Sequence, residues 1–317
     1  MALLETKGLK KYFSTSKGML HAVDDVSISI EEGETLGLVG ESGCGKSTLG
    51  RTLIHLLEST DGQIYFQGED ITRVKGKRLA QIRENMQIIF QDPYSSLDPR
   101  KTVRETIQEP LMISRKYKKF EMESRADEIM ELVGLDTRFW NSYPHELDGG
   151  RRQRVGIGRA LALNPKFIVC DEPVSALDVS IQAQVLNLLK KLQQERGLTY
   201  LFVTHDMSVV RHISSSICVM YLGQVVEKSS SKELFEHPWH PYTKALLDAI
   251  PSADVHHPKE REILYGELTS PINPNPGCRF YSRCKYACSE CKKSQKLVEI
   301  KEGHYVSCCR VKEINNL

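Results

Sequence analysis

The sequence contains no apolar run long enough to cross a bilayer as a helix. Its first residues, Met1-Ala2-Leu3-Leu4-Glu5-Thr6-Lys7, lack the charged-then-apolar order of an export signal. Both absences argue against an integral membrane or secreted protein and predict a cytosolic chain that can dock on a membrane protein. A basic excess is missing too. The 43 Lys and Arg face 41 Asp and Glu, for a formal charge of +2, so no nucleic-acid partner is expected. Internal repeats and low-complexity tracts are also absent. With 317 residues, 40% hydrophobic and 26% charged, the composition is that of a soluble globular protein with room for one large domain or two.

Cysteine, in contrast, is plentiful. Cys44, Cys170 and Cys218 are scattered, whereas Cys278, Cys284, Cys288, Cys291, Cys308 and Cys309 fall in the last 40 residues. In a reducing cytosol such clustering argues for metal or cluster ligation over disulfides.

The most informative stretch is Gly40-Glu41-Ser42-Gly43-Cys44-Gly45-Lys46-Ser47, followed by Thr48. It fits the phosphate-binding pattern G-x-x-x-x-G-K-[ST] and has the context that pattern needs. Glu34–Val39 reads as a short buried strand, and Ser47–Leu57 as a helix. The glycines let successive backbone N–H groups turn inward around a phosphate, and the helix start adds free donors and a positive dipole end. Lys46 is expected to reach the β- and γ-phosphates and the Ser47 hydroxyl to ligate Mg²⁺. Downstream, Phe167-Ile168-Val169-Cys170-Asp171-Glu172 is an apolar run ending in two acids, which suits a buried parallel strand. Its carboxyl end is expected at the phosphate loop. Asp171 would hold Mg²⁺ through water, and Glu172 would polarise an attacking water, so hydrolysis is expected as well as binding.

Residues 1–30 alternate apolar and polar and read as antiparallel strands. Residues 34–95 read as α/β core. Residues 100–163 are mostly helical, with amphipathic pieces at Val103–Glu109 and Phe120–Val133. From Phe167 to Glu227 strands and helices alternate again, and Glu233–Ile250 reads as a helical close. From Pro251 the composition changes, and Pro271, Pro274 and Pro276 suggest an extended linker before the cysteines.

Between the two nucleotide motifs, His145-Glu146-Leu147-Asp148-Gly149-Gly150-Arg151-Arg152-Gln153-Arg154 resembles the signature motif of ABC ATPases, usually written LSGGQ. Phosphate loop, signature and acidic strand occur in that family's order. Within the resemblance, Gln91 corresponds to the Q-loop glutamine, which assists Mg²⁺ and water. Ser175-Ala176-Leu177-Asp178 corresponds to the D-loop, His205 to the switch histidine, and Tyr12 to the aromatic that stacks on adenine. Gln91-Asp92-Pro93-Tyr94-Ser95-Ser96-Leu97-Asp98-Pro99-Arg100 is similar to the ATP-binding subunits of oligopeptide and dipeptide importers. So are His240-Pro241-Tyr242-Thr243-Lys244-Ala245-Leu246-Leu247 and the tail with Gly277-Cys278-Arg279-Phe280 and Arg283-Cys284. The wording is closer to their F-type subunit than to the D-type.

The resemblance implies an α/β fold: a P-loop ATPase cassette with an antiparallel β subdomain and a helical signature subdomain. The cassette would cover residues 1–250, with its helical subdomain at about 98–163, and a Cys-rich extension would cover 251–317. It implies ATP and Mg²⁺ as ligands, Glu172 as base and His205 on the γ-phosphate. The partners implied are a second cassette, two permease subunits and, through the complex, an extracellular solute-binding protein. The chain would lie peripherally on the cytoplasmic face of the membrane. Peptide is the implied cargo; an importer ATPase for nickel or another solute, or a soluble ABC ATPase, is the alternative.

One departure stands out. The family's signature serine is Asp148 here, and its Gln is Arg151. An ionised carboxylate cannot donate to a partner-bound γ-phosphate, and two like charges ~4 Å apart cost about 4 kcal/mol at an effective dielectric near 20. A helix N-terminus offsets roughly 1 kcal/mol of this. Either Asp148 serves as an N-cap with Arg151 compensating, or the two ATP sites of a heterodimer are unequal; we favour the second. In the tail, Cys278, Cys284 and Cys291 are separated by five and six residues, and Cys308 follows after sixteen. These four match the importer tail and suit a [4Fe-4S] cluster or Zn²⁺. The wide spacings favour iron–sulfur, with Cys288 and Cys309 as extras.

Overall fold

The computed structural model describes residues 2–250 and 270–317, so the expected start of the extension at residue 251 lies outside the described residues. The chain divides into two compact units, residues 1–72 with 204–317, and residues 73–203.

In the first unit the alternating N-terminal segment folds as expected. Ala2–Thr15 pairs antiparallel with Gly18–Val26, Ser29–Glu31 and Asp61–Phe66. The apolar run Thr35–Val39 is buried along its whole length, the signature of a strand covered on both faces. It runs parallel to Ser216–Tyr221. A Cβ on Gly37 would sit 2.1 Å from Val210 Cγ2, so the glycine lets helix Met207–Ile213 press directly on this strand. Ser216–Tyr221 pairs antiparallel with Gln224–Ser230. The sheet then continues into the tail, through His304–Val306 and Val298–Lys301. The single helical close expected over Glu233–Ile250 is instead two helices, Ser231–Glu236 and Pro241–Asp248. The break follows from Pro238 and Pro241: the residue before a proline is pushed out of the helical region, and His240 then caps the second helix by accepting from Tyr242 N–H (3.1 Å). Phe280 from the tail is buried with Tyr221 and Tyr242 in the core beneath, worth about 2–3 kcal/mol of apolar burial.

In the second unit Met86–Ile89, Phe167–Asp171 and Thr199–Thr204 form a parallel run. Between them lie helices Val103–Ser114, Lys119–Leu132 and Gly149–Leu161. The first starts at a capping box made by Thr102 and Glu105 and buries Val103, Thr106, Ile107 and Leu111, an i, i+3, i+4, i+8 stripe. Among the described residues no helix is long and apolar enough to cross a membrane.

Candidate nucleotide site and cysteine tail

The phosphate loop leaves strand Thr35–Val39 at Gly40 and enters helix Lys46–Leu53 at Gly45. Cβ atoms at Gly40 and Gly45 would lie 2.1 Å from Met220 O and 1.9 Å from Ala22 O, so only glycine permits this path. Gly45 is the N-cap and supplies no side-chain cap to the helix. Helix-start amides left without an internal cap are what a phosphate needs. Lys46 is 4% exposed, and its Nζ donates to the carbonyls of Gly40 (2.8 Å) and Glu41 (3.0 Å). Cys44 is buried beneath, its thiol pushed up by burial, which makes it a packing residue. Ser42, Gly43, Ser47 and Thr48 complete the loop and the first helical turn.

Tyr12, on strand Ala2–Thr15, stacks against His21 at 3.9 Å and 21° and donates its hydroxyl to Asp24. Burial, then this bond, raises the phenol's pKa. His205 is exposed at the end of strand Thr199–Thr204. It precedes helix Met207–Ile213, which Asp206 caps through Ser208 N–H (2.7 Å).

The second unit holds the acidic machinery. Asp171 is 1% exposed at the carboxyl end of its strand. Glu172 follows with φ of 47°, a left-handed conformation uncommon outside glycine that costs of order 1 kcal/mol. It is held there by its N–H on Val203 O (3.0 Å), and Gln91 Nε2 donates to its carboxylate (3.1 Å). The structure thus brings Gln91 and Glu172 together. Ser175 Oγ donates to Glu172 O (3.1 Å), and Asp178 caps helix Val179–Arg196 through Ile181 N–H (3.0 Å). Asp148 is the N-cap of helix Gly149–Leu161, accepting from Arg151 N–H (2.7 Å) and pairing with its guanidinium (2.5 Å). Gly150 packs on helix Val179–Arg196, where a Cβ would meet Ile181 Cγ2 at 2.7 Å.

In the tail, Cys291 Sγ lies 3.6 Å from Cys288 Sγ and 3.7 Å from Cys309 Sγ. The two cysteines outside the expected set of four are therefore in contact with one member of it. Cys278 is pushed up to about 12 by burial, with neighbouring Cys291, Cys308 and Cys284 adding to the shift. Burial likewise raises Cys284 and Cys308, whereas the backbone N–H of Cys291 lowers Cys288. The Sγ atoms of Cys288, Cys291 and Cys309 lie within 4.8 Å of one another, a donor set that suits a thiophilic metal.

Comparison with known proteins places this geometry. The family described as "ABC transporter" matches residues 23–175, and "Oligopeptide/dipeptide transporter, C-terminal region" matches residues 226–291. The oligopeptide transport ATP-binding protein AppF of Bacillus subtilis is 50% identical over 96% of both chains. The oligopeptide transport ATP-binding protein OppF of Salmonella typhimurium is 48% identical over 98% of this chain and 96% of its own. The chain belongs to the ABC transporter family. Its cassette is an ABC-type ATPase fold: a solved dimeric ATP-binding cassette bound to ADP and Pi superposes with a TM-score of 0.66 at 32% identity, covering 72% of this chain and 98% of that one.

Several residues in contact with the candidate site carried no role in the sequence reading. Tyr242 accepts the Glu41 N–H (2.9 Å), and Asp24 holds the Tyr12 hydroxyl. Arg279 and Arg283 reach Asp24 and Glu41 from the tail. Both arginines stand in the stretch that resembles importer tails, yet no spacing rule links residue 283 to residue 41.

Proposed function

We propose that this cassette is the ATP-binding and hydrolysing subunit that energises peptide import through a separate permease. The observation that carries it is the joint match of cassette and tail. Relatives about half identical over nearly the whole chain are oligopeptide transport ATP-binding proteins, and the C-terminal match has the same description. In this reading Tyr12 stacks on adenine, and the loop Gly40–Ser47 with Thr48 cradles the phosphates. Lys46 neutralises them, and Ser47, Gln91 and Asp171 would hold Mg²⁺, which would supply charge withdrawal from the γ-phosphate. Glu172 takes a proton from the attacking water, with Gln91 orienting the carboxylate, and His205 steadies the γ-phosphate. Asp148, Gly149 and Gly150 face the nucleotide held by a second cassette.

Asp148 is an N-cap paired with Arg151, as the first alternative expected, but an ionised carboxylate still has no proton to donate to a partner-bound γ-phosphate, which the family's serine supplies. The two sites are accordingly unequal, and the partner cassette is a different chain. Two permease subunits and an extracellular solute-binding protein complete the transporter, with this chain peripheral on the cytoplasmic face. Glu172→Gln is expected to cut ATP turnover of the assembled transporter at least a hundredfold while ATP binding persists; unchanged turnover refutes the assignment.

For the tail we propose a [4Fe-4S] cluster on Cys278, Cys284, Cys291 and Cys308. One observation favours the alternative of Zn²⁺. Thiolates on a tetrahedral zinc at ~2.3 Å stand about 3.8 Å apart, close to the 3.6 and 3.7 Å around Cys291. Iron, sulfide and zinc analysis of anaerobically purified protein decides: iron and sulfide near four per chain for the cluster, one zinc without sulfide for the clip.

A further inference from the structure

The sequence Cys278-Arg279-Phe280-Tyr281-Ser282-Arg283-Cys284 places two arginines between the first two tail cysteines. Both side chains are buried, at 4% and 7% exposure, and both point at the nucleotide-binding half of the first unit. Arg283 makes a two-pronged contact with the Glu41 carboxylate, 2.7 Å to one oxygen and 3.1 Å to the other. Glu41 is the second residue of the phosphate loop. Its N–H is fixed by Tyr242 Oη and its carbonyl receives Lys46 Nζ, so this one loop residue is held at three points. Arg279 donates to Leu222 O and to Asp24. Asp24 in turn accepts the Tyr12 hydroxyl and lies 3.4 Å from His21 Nδ1, the ring on which Tyr12 stacks.

The same tail reaches the strand that carries His21. His21 N–H donates to Pro271 O (2.9 Å), Met19 N–H donates to Asn273 Oδ1 (2.9 Å), and Asn273 N–H donates to Met19 O (2.9 Å). Phe280, next to Arg279, is locked in the core. Cys278 N–H donates to Cys291 O (2.7 Å), which ties the arginine segment to the cysteine cluster.

We propose that Arg279 and Arg283 are positioning residues of the nucleotide site, so that the cysteine-rich tail is a working part of ATP binding by the cassette. The proposal rests on the reading of Gly40–Ser47 and Tyr12 as that site. Two physical consequences follow. A bidentate guanidinium fixes the direction of the Glu41 side chain and with it the start of the loop. It also cancels a carboxylate that would otherwise stand as a bare negative charge in a loop that receives phosphates. On the base side, Arg279 holds Asp24, and Asp24 holds the Tyr12 ring in place.

The test is titration of the full-length chain with a fluorescent MgATP analogue, with melting curves recorded for each variant. Arg283→Gln is expected to weaken binding at least tenfold, about 1.4 kcal/mol, and Arg279→Gln several-fold. Arg283→Lys, which keeps the charge, should stay within about threefold of wild type. A residue that only supported the fold would not give one further result: Glu41→Gln combined with Arg283→Gln should bind more tightly than Arg283→Gln alone, because the uncancelled carboxylate is gone. If Arg283→Gln fails to fold, the folded double variant carrying Glu41→Gln and Arg283→Gln is compared with wild type instead: binding at least threefold weaker supports the proposal, and binding within twofold of wild type overturns it. Binding by Arg283→Gln within twofold of wild type, while Lys46→Ala has lost it, overturns the proposal alone. Unaltered binding by Lys46→Ala removes the nucleotide-site reading and the proposal with it.

Discussion

Glu227→Leu is expected to loosen the tail from the cassette, and the structure sets the size of the effect. Glu227 has no exposed surface. One carboxylate oxygen accepts from Trp239 N–H (2.8 Å) and from His304 Nε2 (2.7 Å), and the other accepts from His240 N–H (3.0 Å). Because a carboxylate only accepts, His304 carries its proton on Nε2. Its ring stacks on Trp239 at 3.8 Å and 7°, and its strand is the tail's pairing edge on Gln224–Ser230.

Leucine would strand two backbone donors and one ring donor in a dry site, at ~1–3 kcal/mol each. Relief from burying the carboxylate offsets part of this, leaving a loss of about 4 kcal/mol. Glutamine can keep the two bonds at one oxygen but turns its NH₂ on the His240 N–H, for a loss of about 2 kcal/mol. Urea denaturation followed by tryptophan emission should show both shifts, and proteolysis of the leucine variant should start in the tail. A leucine variant within 1 kcal/mol of wild type, or a glutamine variant less stable than leucine, would contradict this account.

Other outcomes follow from neighbouring groups. His240 is buried and its pKa is depressed by burial to about 4. Between pH 4 and 6.5 the unfolded chain binds more protons than the folded one, so this stability is present above 6.5 and lost as pH falls towards 4. Wild type should therefore lose roughly 2–3 kcal/mol more than His240→Asn between pH 7.5 and 4.5, since Asn keeps the cap without titrating; parallel unfolding curves would refute this. Asp148→Ser should change stability by less than about 1 kcal/mol, because Ser caps as well and the ion pair is at the surface. It should nevertheless raise ATPase activity of the assembled transporter, and no change in turnover would count against unequal sites. Gly45→Ala forces a Cβ to within 1.9 Å of Ala22 O at a φ of 105°, so it should cost at least ~2 kcal/mol and abolish nucleotide binding in the same titration.

The parts that the sequence announced are those written in local chemistry. The phosphate loop needs glycines, a lysine and a hydroxyl in a row. The buried strands Thr35–Val39 and Phe167–Asp171 show as unbroken apolar runs, and the N-terminal antiparallel strands as alternation. Helix Val103–Ser114 shows as a stripe with its own capping box. Each of these patterns is complete within about fifteen residues, so periodicity can register it.

The parts that escaped are set by distant partners. Strands Val298–Lys301 and His304–Val306 are short; the second exists because the edge Gln224–Ser230 accepts it, and the first because it pairs on the second. Glu172 takes its left-handed turn because its N–H is held by Val203 O. Cys288 and Cys309 look incidental by spacing, yet the fold places them on Cys291.

By itself, then, the sequence determined that this is an ATP-cleaving cassette with a thiol-rich tail. The residue types needed for phosphate, metal ion and water are too specific to arise together otherwise. Only the tertiary structure decided that the tail reaches Glu41 and Asp24. A charge pair between residues 41 and 283 is created by chain reversal and burial, and no one-dimensional pattern encodes it.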